Sequence, residues 1–176
     1  LALTTALMTT PPMTTPQAKP VTASAVHDHT YKIFPNDLNS TETVFGGLVM
    51  STLDRVASVV AERHSQKPCV TVSVDAMHFL QPARRGDILI FQAAINRSWN
   101  SSMEIGVRVL AEDYRTGERR HMVSAYFTFV GTDENGHPAN VPAVIPETED
   151  EKRRYEEAGQ RRERRHQEAK NRRAHG

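Results

Sequence analysis

The sequence predicts an α+β fold: one domain in which a curved antiparallel sheet wraps around one long central helix. Three observations favour this fold. A single amphipathic helical pattern is followed by several short strand patterns joined by turns, an order typical of α+β domains. The helix has an apolar face, which must be covered to keep it from water. The chain has 176 residues, a length that suits one domain rather than two.

The two ends of the chain differ in composition from its middle. Residues 1–25 contain no acidic residue, no Arg and a single Lys among many Thr and Pro, which predicts a disordered segment. Residues 147–176 are mostly Glu, Arg, Lys and Gln, which predicts a charged C-terminal helix or a disordered tail. Residues 26–146 remain for the folded domain, and a domain of that size gains stability from a partner.

The predicted helix extends over residues 48–63. Val49, Leu53, Val56 and Val60 recur at i, i+4, i+7 and i+11, which places their side chains on one face of a helix. We expect this face to form the centre of the core.

Four strand patterns follow the helix. In residues 70–76, Val and Ala alternate with other residues, which predicts a strand. Residues 88–95 are largely apolar, which predicts a strand that is covered on both faces. Residues 103–111 and 121–130 alternate again. Because short turn segments separate these patterns, the strands are expected to pair antiparallel.

Composition narrows the range of functions. The net charge of +1 argues against nucleic acid as a partner, since domains that bind nucleic acid usually carry a basic excess. No apolar run approaches the roughly 20 residues that span a membrane. The lone cysteine, Cys69, cannot form an internal disulfide and fits a reducing compartment. Since the chain also lacks a recognisable secretory signal, we expect a cytoplasmic protein.

Three stretches carry ordered motifs: residues 39–54 (NSTETVFGGLVMSTLD), residues 72–87 (VSVDAMHFLQPARRGD) and residues 101–130. Together they resemble the hotdog-fold acyl-CoA thioesterases, especially the cytosolic acyl-CoA hydrolase branch. Two positions depart from the family's pattern. Phe45 stands where His is frequent, and Glu42 stands where a small residue is frequent.

The resemblance implies hydrolysis of fatty acyl-CoA to free fatty acid and coenzyme A, by a homodimer or a trimer of dimers. It implies no resident cofactor, because coenzyme A is part of the substrate and the product. Two alternatives keep the fold: a non-catalytic acyl-CoA-binding regulator, and a dehydratase of 3-hydroxyacyl thioesters. The dehydratase branch uses a histidine with an acid, but His64 and His78 lie outside the motif.

The chemistry of a thioester gives the motif residues their expected roles. Gly46 and Gly47 leave the amides of a helix start open to a thioester oxygen, as in an oxyanion hole. Asp54 provides a carboxylate that acts as general base or as nucleophile. Gly46 and Asp54 are separated by about 12 Å along one helix, too far to act on one carbon atom. In two antiparallel helices related by a two-fold axis, the start of one helix lies beside the middle of the other, so the two groups can meet.

The resulting hypothesis is a site shared between two subunits. Asn39 and Gly46 come from one subunit, and Asp54 and Ser58 come from the other. The Asn39 amide holds water or the thioester oxygen, and Ser58, one turn beyond Asp54, orients water.

The phosphates and the pantetheine of coenzyme A need polar partners. Arg84 and Arg85 in a turn, and Ser101 and Ser102 after a polar loop, are the candidates. The segment 27–29 (His-Asp-His) has the composition of a metal site. Because three neighbouring residues of an extended strand cannot all face one ion, we expect no metal.

Overall fold

The computed structural model describes residues 16–174, which form eight strands, two α-helices and two short 3-10 helices, Val21–Ala23 and Pro35–Asp37. The helices are α1 (Gly46–Ser65) and α2 (Glu149–Ala174). The strands are β1 (Lys19–Pro20), β2 (Val26–Lys32), β3 (Cys69–Val74), β4 (His78–Phe79), β5 (Ile88–Ser98), β6 (Ser102–Glu112), β7 (Arg119–Gly131) and β8 (Val144–Ile145).

The main sheet is antiparallel and has the strand order β2-β5-β6-β7-β3, with β4 paired to β7. One face of it packs on α1, whose residues Val49, Leu53 and Val60 are fully buried. Phe127 and Phe129 of β7 lie in the same core cluster. The predicted α+β fold, a curved sheet around one long helix, is therefore confirmed.

The predicted boundary at residue 26 is wrong, because residues before it pack on the domain. Lys19 and Pro20 form β1, which pairs parallel with β8. Val21 is buried in the core cluster, and the Lys19 ammonium donates a hydrogen bond to the His64 carbonyl oxygen at 2.9 Å. Residues 16–25 thus belong to the fold. The rest of the segment predicted as disordered lies outside the described residues.

Strand β2 also carries no clear sequence pattern. Its side chains are mostly exposed, so polar residues occupy neighbouring positions and no alternation is visible. It pairs with β5 through a register shift between Val26 and His29. Pairing with a buried strand, rather than its own side chains, makes this segment a strand.

Helix α2 lies on the face of the sheet opposite α1. It begins with a capping box, in which the Glu151 side chain accepts from the Thr148 N–H and the Thr148 hydroxyl accepts from the Glu151 N–H. The buried Glu104 carboxylate of β6 binds Arg161 and Arg165 at 2.7 and 2.9 Å. Of the two predicted states of this charged segment, the structure has the helix over Glu149–Ala174.

Within residues 16–174, neither helix combines the length and the hydropathy that crossing a membrane would require.

Candidate active site

The loop before α1 holds the Asn39 side chain in one orientation. Its oxygen accepts hydrogen bonds from the backbone N–H groups of Thr41 and Thr43, at 2.9 and 3.2 Å. Its nitrogen donates to the Thr43 hydroxyl at 2.9 Å. A side-chain amide nitrogen carries two N–H bonds. Within residues 16–174, Asn39 uses only one of them in a hydrogen bond, the one to Thr43. The second is available to a ligand.

Glu42 allows this loop to close. Its φ of 57° lies in the left-handed region, which explains why a small residue is frequent at this position in the family that the motif resembles. The Glu42 N–H donates to the Asn39 carbonyl oxygen at 3.1 Å, so the loop path is kept despite the larger side chain.

The first turn of α1 offers unpaired N–H groups. Its N-cap, Phe45, provides no side-chain hydrogen bond, and within residues 16–174 no acceptor is found for the N–H of Gly46 or Gly47. Such a helix start carries about half a positive charge, which suits an oxygen that becomes negative during a reaction. The Phe79 ring lies 3.5 Å from where a Cβ on Gly46 would be.

Asp54 lies further along α1, half-buried beside β3. The Thr71 hydroxyl donates a hydrogen bond to Asp54 Oδ1 at 2.7 Å, which orients the carboxylate and leaves Oδ2 for another partner. Thr71 is a site residue that the motifs did not indicate. Its place beside Asp54 depends on how β3 packs against α1, and the period-two pattern of the strand alone does not show which face meets the helix.

Ser58 does not contact Asp54 in this structure. Its hydroxyl donates to the Arg55 carbonyl oxygen at 2.8 Å, a common bond of serine within helices. With its only proton used in this way, Ser58 can accept a hydrogen bond from water but cannot donate one.

Asn39 and Gly46 line a cleft of about 360 Å³, but Asp54 does not. The remaining walls of the cleft are Thr43, Val44, Phe79, Leu80, Gln81, Pro82, Ala83 and Met122. One chain therefore contains two separate groups: the Asn39–Gly46 cleft, and the Asp54–Thr71 pair about 12 Å further along α1. They cannot act on the same carbon atom from within one chain.

The turn with Arg84 and Arg85 adjoins the Asn39 loop. The backbone of Arg84 forms an isolated β-bridge with that of Thr43, and the Arg84 backbone N–H donates a hydrogen bond to Asp87 Oδ2 at 2.8 Å. Both arginine side chains are exposed. The backbone of this turn thus lies beside the loop that lines the cleft.

Ser101 and Ser102 lie at the opposite end of the sheet. They follow β5, whereas Arg84 and Arg85 precede it, and the 11 residues of β5 extend about 35 Å. Alternate residues of a strand share a face, so Ser102 lies on the α2 face with Glu104. The predicted coenzyme A contacts are therefore not brought together within one chain.

The histidines named by the dehydratase alternative do not adjoin Asp54. His64 is buried at the end of α1, where its Nε2 lies 3.0 Å from the Pro142 carbonyl oxygen, and His78 is exposed in β4. In the described part of the chain, residues 16–174, no three His, Cys, Asp or Glu side chains are grouped to hold a metal ion.

Comparison with known proteins identifies the family of this arrangement. Residues 41–118 match the family model of the thioesterase superfamily. An acyl-CoA thioester hydrolase of Bacillus subtilis is 42% identical over 122 residues, which cover 69% of this chain and 71% of that protein.

Solved structures share both fold and sequence. An apo-hexameric acyl-CoA thioesterase superposes with a TM-score of 0.84 and 38% identity, covering 87% of this chain and 97% of its own. An acyl-CoA hydrolase of Staphylococcus aureus, solved with butyryl coenzyme A, coenzyme A and coenzyme A disulfide, superposes with a TM-score of 0.83. It is 34% identical, and the match covers 89% of this chain and 95% of the S. aureus chain. The chain is therefore a member of the thioesterase superfamily and belongs to its hotdog-fold acyl-CoA hydrolases.

Proposed function

We propose that this enzyme hydrolyses fatty acyl-CoA at active sites that two subunits share. The observation that carries the proposal is the separation of the Asn39–Gly46 cleft from the Asp54–Thr71 pair by about 12 Å of helix. A two-fold axis that sets two α1 helices antiparallel places the start of one beside the middle of the other. Each dimer then contains two complete sites.

The spacing of the site residues supports these assignments. Variants of the S. aureus hydrolase have been solved in which an asparagine, an aspartate or a threonine is replaced by alanine. That asparagine lies 15 residues before the aspartate, and that threonine lies 17 residues after it. Asn39, Asp54 and Thr71 have the same order and the same spacing.

An uncovered apolar surface supports the dimer. Strand β3 lies at the edge of the sheet, and its side chains Val70, Val72 and Val74 are 50%, 55% and 45% exposed. Met50 of α1 and Phe79 of β4 are about half exposed as well. An apolar edge strand with unpaired backbone groups is a surface that a second chain covers. Pairing of β3 with the partner's β3 would bring Asp54 to the subunit boundary.

The geometry supports a simple hydrolysis. The thioester oxygen binds the Gly46 N–H and the unused N–H of Asn39, which stabilise the negative charge that develops on it. The free Oδ2 of Asp54 takes a proton from water, whose oxygen attacks the thioester carbon. The C–S bond then breaks, and Asp54 returns the proton to the leaving thiolate. Thr71 keeps the carboxylate in position.

Two further assignments follow from the same site. Arg84 and Arg85, in the turn beside the loop that lines the Asn39–Gly46 cleft, bind the phosphates of coenzyme A. These steps use only side chains and amides of the protein, the substrate and water, so no resident cofactor is needed. The cytoplasm is the proposed location, because Cys69 has no second cysteine to pair with in this chain.

Subunit mixing tests the shared site. Chains with Asp54→Asn are combined with chains carrying Asn39→Ala and Gly46→Pro, and thiol release from palmitoyl-CoA is followed after subunits exchange. In a mixed dimer one site collects all lesions and the other collects none, so about a quarter of wild-type activity should return. Either parent mixed with itself is the control. Verified mixed dimers that stay inactive would contradict the proposal.

A matched pair of variants tests the amide of Gly46. Gly46→Pro removes the N–H at the first helical position, where proline is tolerated, and Phe45 already has an extended ψ of 121°. Gly46→Ala keeps the N–H and adds a Cβ at an ordinary 3.5 Å from Phe79. We expect kcat to fall about 100-fold in the proline variant, as on loss of one oxyanion donor, and little in the alanine variant. Equal activities would exclude the Gly46 N–H from the mechanism.

A further inference from the structure

Successive residues of helix α2 contact successive strands across the sheet. The Tyr155 ring lies 4.2 Å from the Arg97 guanidinium of β5, and Arg161 binds Glu104 of β6. Arg165 reaches Asp75, which directly follows β3, at 2.7 Å. The ten residues from 155 to 165 advance about 15 Å. The three strand spacings from β5 to β3 measure about 14 Å, so the side chains of this part of the helix reach from β5 to the edge of the sheet.

The helix continues beyond that edge. One side of it faces the sheet: Glu151, Ala158 and Arg161 are buried, and Tyr155 and Arg165 are half-buried. The next positions on the same side, Ala169 and Arg172, are exposed, and so are residues 166–172 as a whole. Residues 166–174 extend about 13 Å, which corresponds to nearly three further strands that this chain does not have.

We propose that residues 166–174 of α2 lie across the outer face of the partner subunit's sheet. The inference rests on the proposed dimer, in which β3 pairs with the partner's β3. That pairing places the partner's sheet where the helix projects, with its first two strands about 5 and 10 Å beyond the edge. Ala169 then lies over the first of these strands and Arg172 over the second.

The partner explains one property of this segment. Ala169 is a small residue on the side that faces the sheet, as Ala158 is within the domain, and small residues let a helix approach a sheet closely. Each dimer would have two such arms, one on each subunit.

Photocrosslinking tests the position of the arm. Ala169→p-benzoylphenylalanine, irradiated in a mixture of 14N and 15N subunits, should yield cross-linked peptides of mixed isotope content that contain β3 or β7. Gln167 points away from the sheet, about 160° around the helix from Ala169. The same substitution there is the control and should yield no such peptide.

A truncation provides a second measurement in case the bulky probe disturbs the helix. A chain that ends at Arg165 keeps every contact of α2 with its own sheet. It should dissociate to monomers at about tenfold higher concentration than the full chain, with an unchanged kcat where it is dimeric. A dimer with neither the cross-link nor weaker association overturns the arm alone. A monomeric full chain that hydrolyses acyl-CoA overturns both the arm and the shared site.

Discussion

The two faces of the sheet are covered in different ways. On one face α1 is packed mainly through apolar side chains, among them Val49, Leu53 and Val60. On the other face α2 is held by a buried carboxylate, Glu104, and by two arginines that bind it. Apolar packing tolerates a half-exposed, reactive side chain such as Asp54 at its rim. A buried ionic cluster needs all of its members, because the loss of one leaves the others unpaired. We therefore expect changes beside α1 to affect the reaction and changes beneath α2 to affect stability.

The ionic cluster is linked to its neighbours by further polar contacts. Asn96 donates to Glu104 at 3.1 Å, and the Arg161 guanidinium lies 3.7 Å from the centre of the Tyr126 ring. Burial lowers the pKa of Arg161, but the hydrogen bond and the charge of Glu104, together with Tyr126 and Glu157, raise it above its usual value, so the guanidinium stays charged. Such a cluster specifies where α2 sits, since a shift of the helix would leave buried charges unpaired.

The largest effect is expected on the α1 side. Asp54→Asn keeps the size of the side chain and removes the base, so hydrolysis should fall about 100- to 10,000-fold. The free energy of unfolding should change little, because Asp54 is half exposed and its hydrogen bond within residues 16–174 is to a single hydroxyl, that of Thr71. Thiol release and urea unfolding on the same preparation check both statements. Near-wild-type turnover would remove Asp54 from the mechanism.

The next effect is expected on the α2 side. Glu104→Leu leaves the buried Arg161 and the half-buried Arg165 without this carboxylate and should lower the free energy of unfolding by about 3–5 kcal/mol. Adding Arg161→Leu removes one unpaired charge and should restore part of the loss. Urea unfolding measures both variants. If the single variant is as stable as the wild type, the cluster does not hold α2 as described.

A smaller effect is expected for the N-terminal segment, where the structure reverses the sequence-based expectation. Deleting residues 1–25 removes the buried side chain of Val21 and the Lys19–His64 hydrogen bond. The loss should be about 2–4 kcal/mol from these contacts together. Deleting only residues 1–15 is the control, and the melting temperature should then stay close to that of the full chain. Equal melting temperatures for the two deletions would show that β1 and Val21 contribute nothing.

The smallest effect is a dependence on pH. Burial, and to a smaller degree the charge of Lys19, lower the pKa of His64, although the hydrogen bond to Pro142 opposes this. Unfolded His64 therefore takes up a proton at a higher pH than folded His64. Its contribution to stability is present above about pH 6.5 and is lost as the pH falls below that value.

Replacement of His64 separates this titration from others. His64→Gln keeps a donor for the Pro142 carbonyl oxygen but does not titrate, so its stability should fall less between pH 7 and pH 5 than that of the wild type. Parallel pH profiles of urea unfolding for the two proteins would contradict the assignment.

Periodicity made the α1 side of the molecule predictable. Apolar residues that recur at helical spacing, followed by alternating strands, can bury their surfaces in few ways, so the α+β fold follows from the sequence. The site residues depended on the motifs: Asp54, Asn39 and Gly46 belong to a motif that resembles a known family. Thr71 was missed because its role arises from the packing of β3 against α1. It contacts Asp54, which lies 17 residues earlier in the chain.

What the sequence determined by itself is the apolar centre of the protein and the order of its elements, because hydrophobic burial depends on pattern and not on exact position. Only the tertiary structure decided the packing of α2, the place of residues 19–25 and the contact of Thr71 with Asp54. These features rest on single contacts, such as Arg165 with Asp75, between residues 90 positions apart. Polar side chains can be satisfied by water or by many partners, so composition cannot specify which partner is met, and only the folded chain selects it.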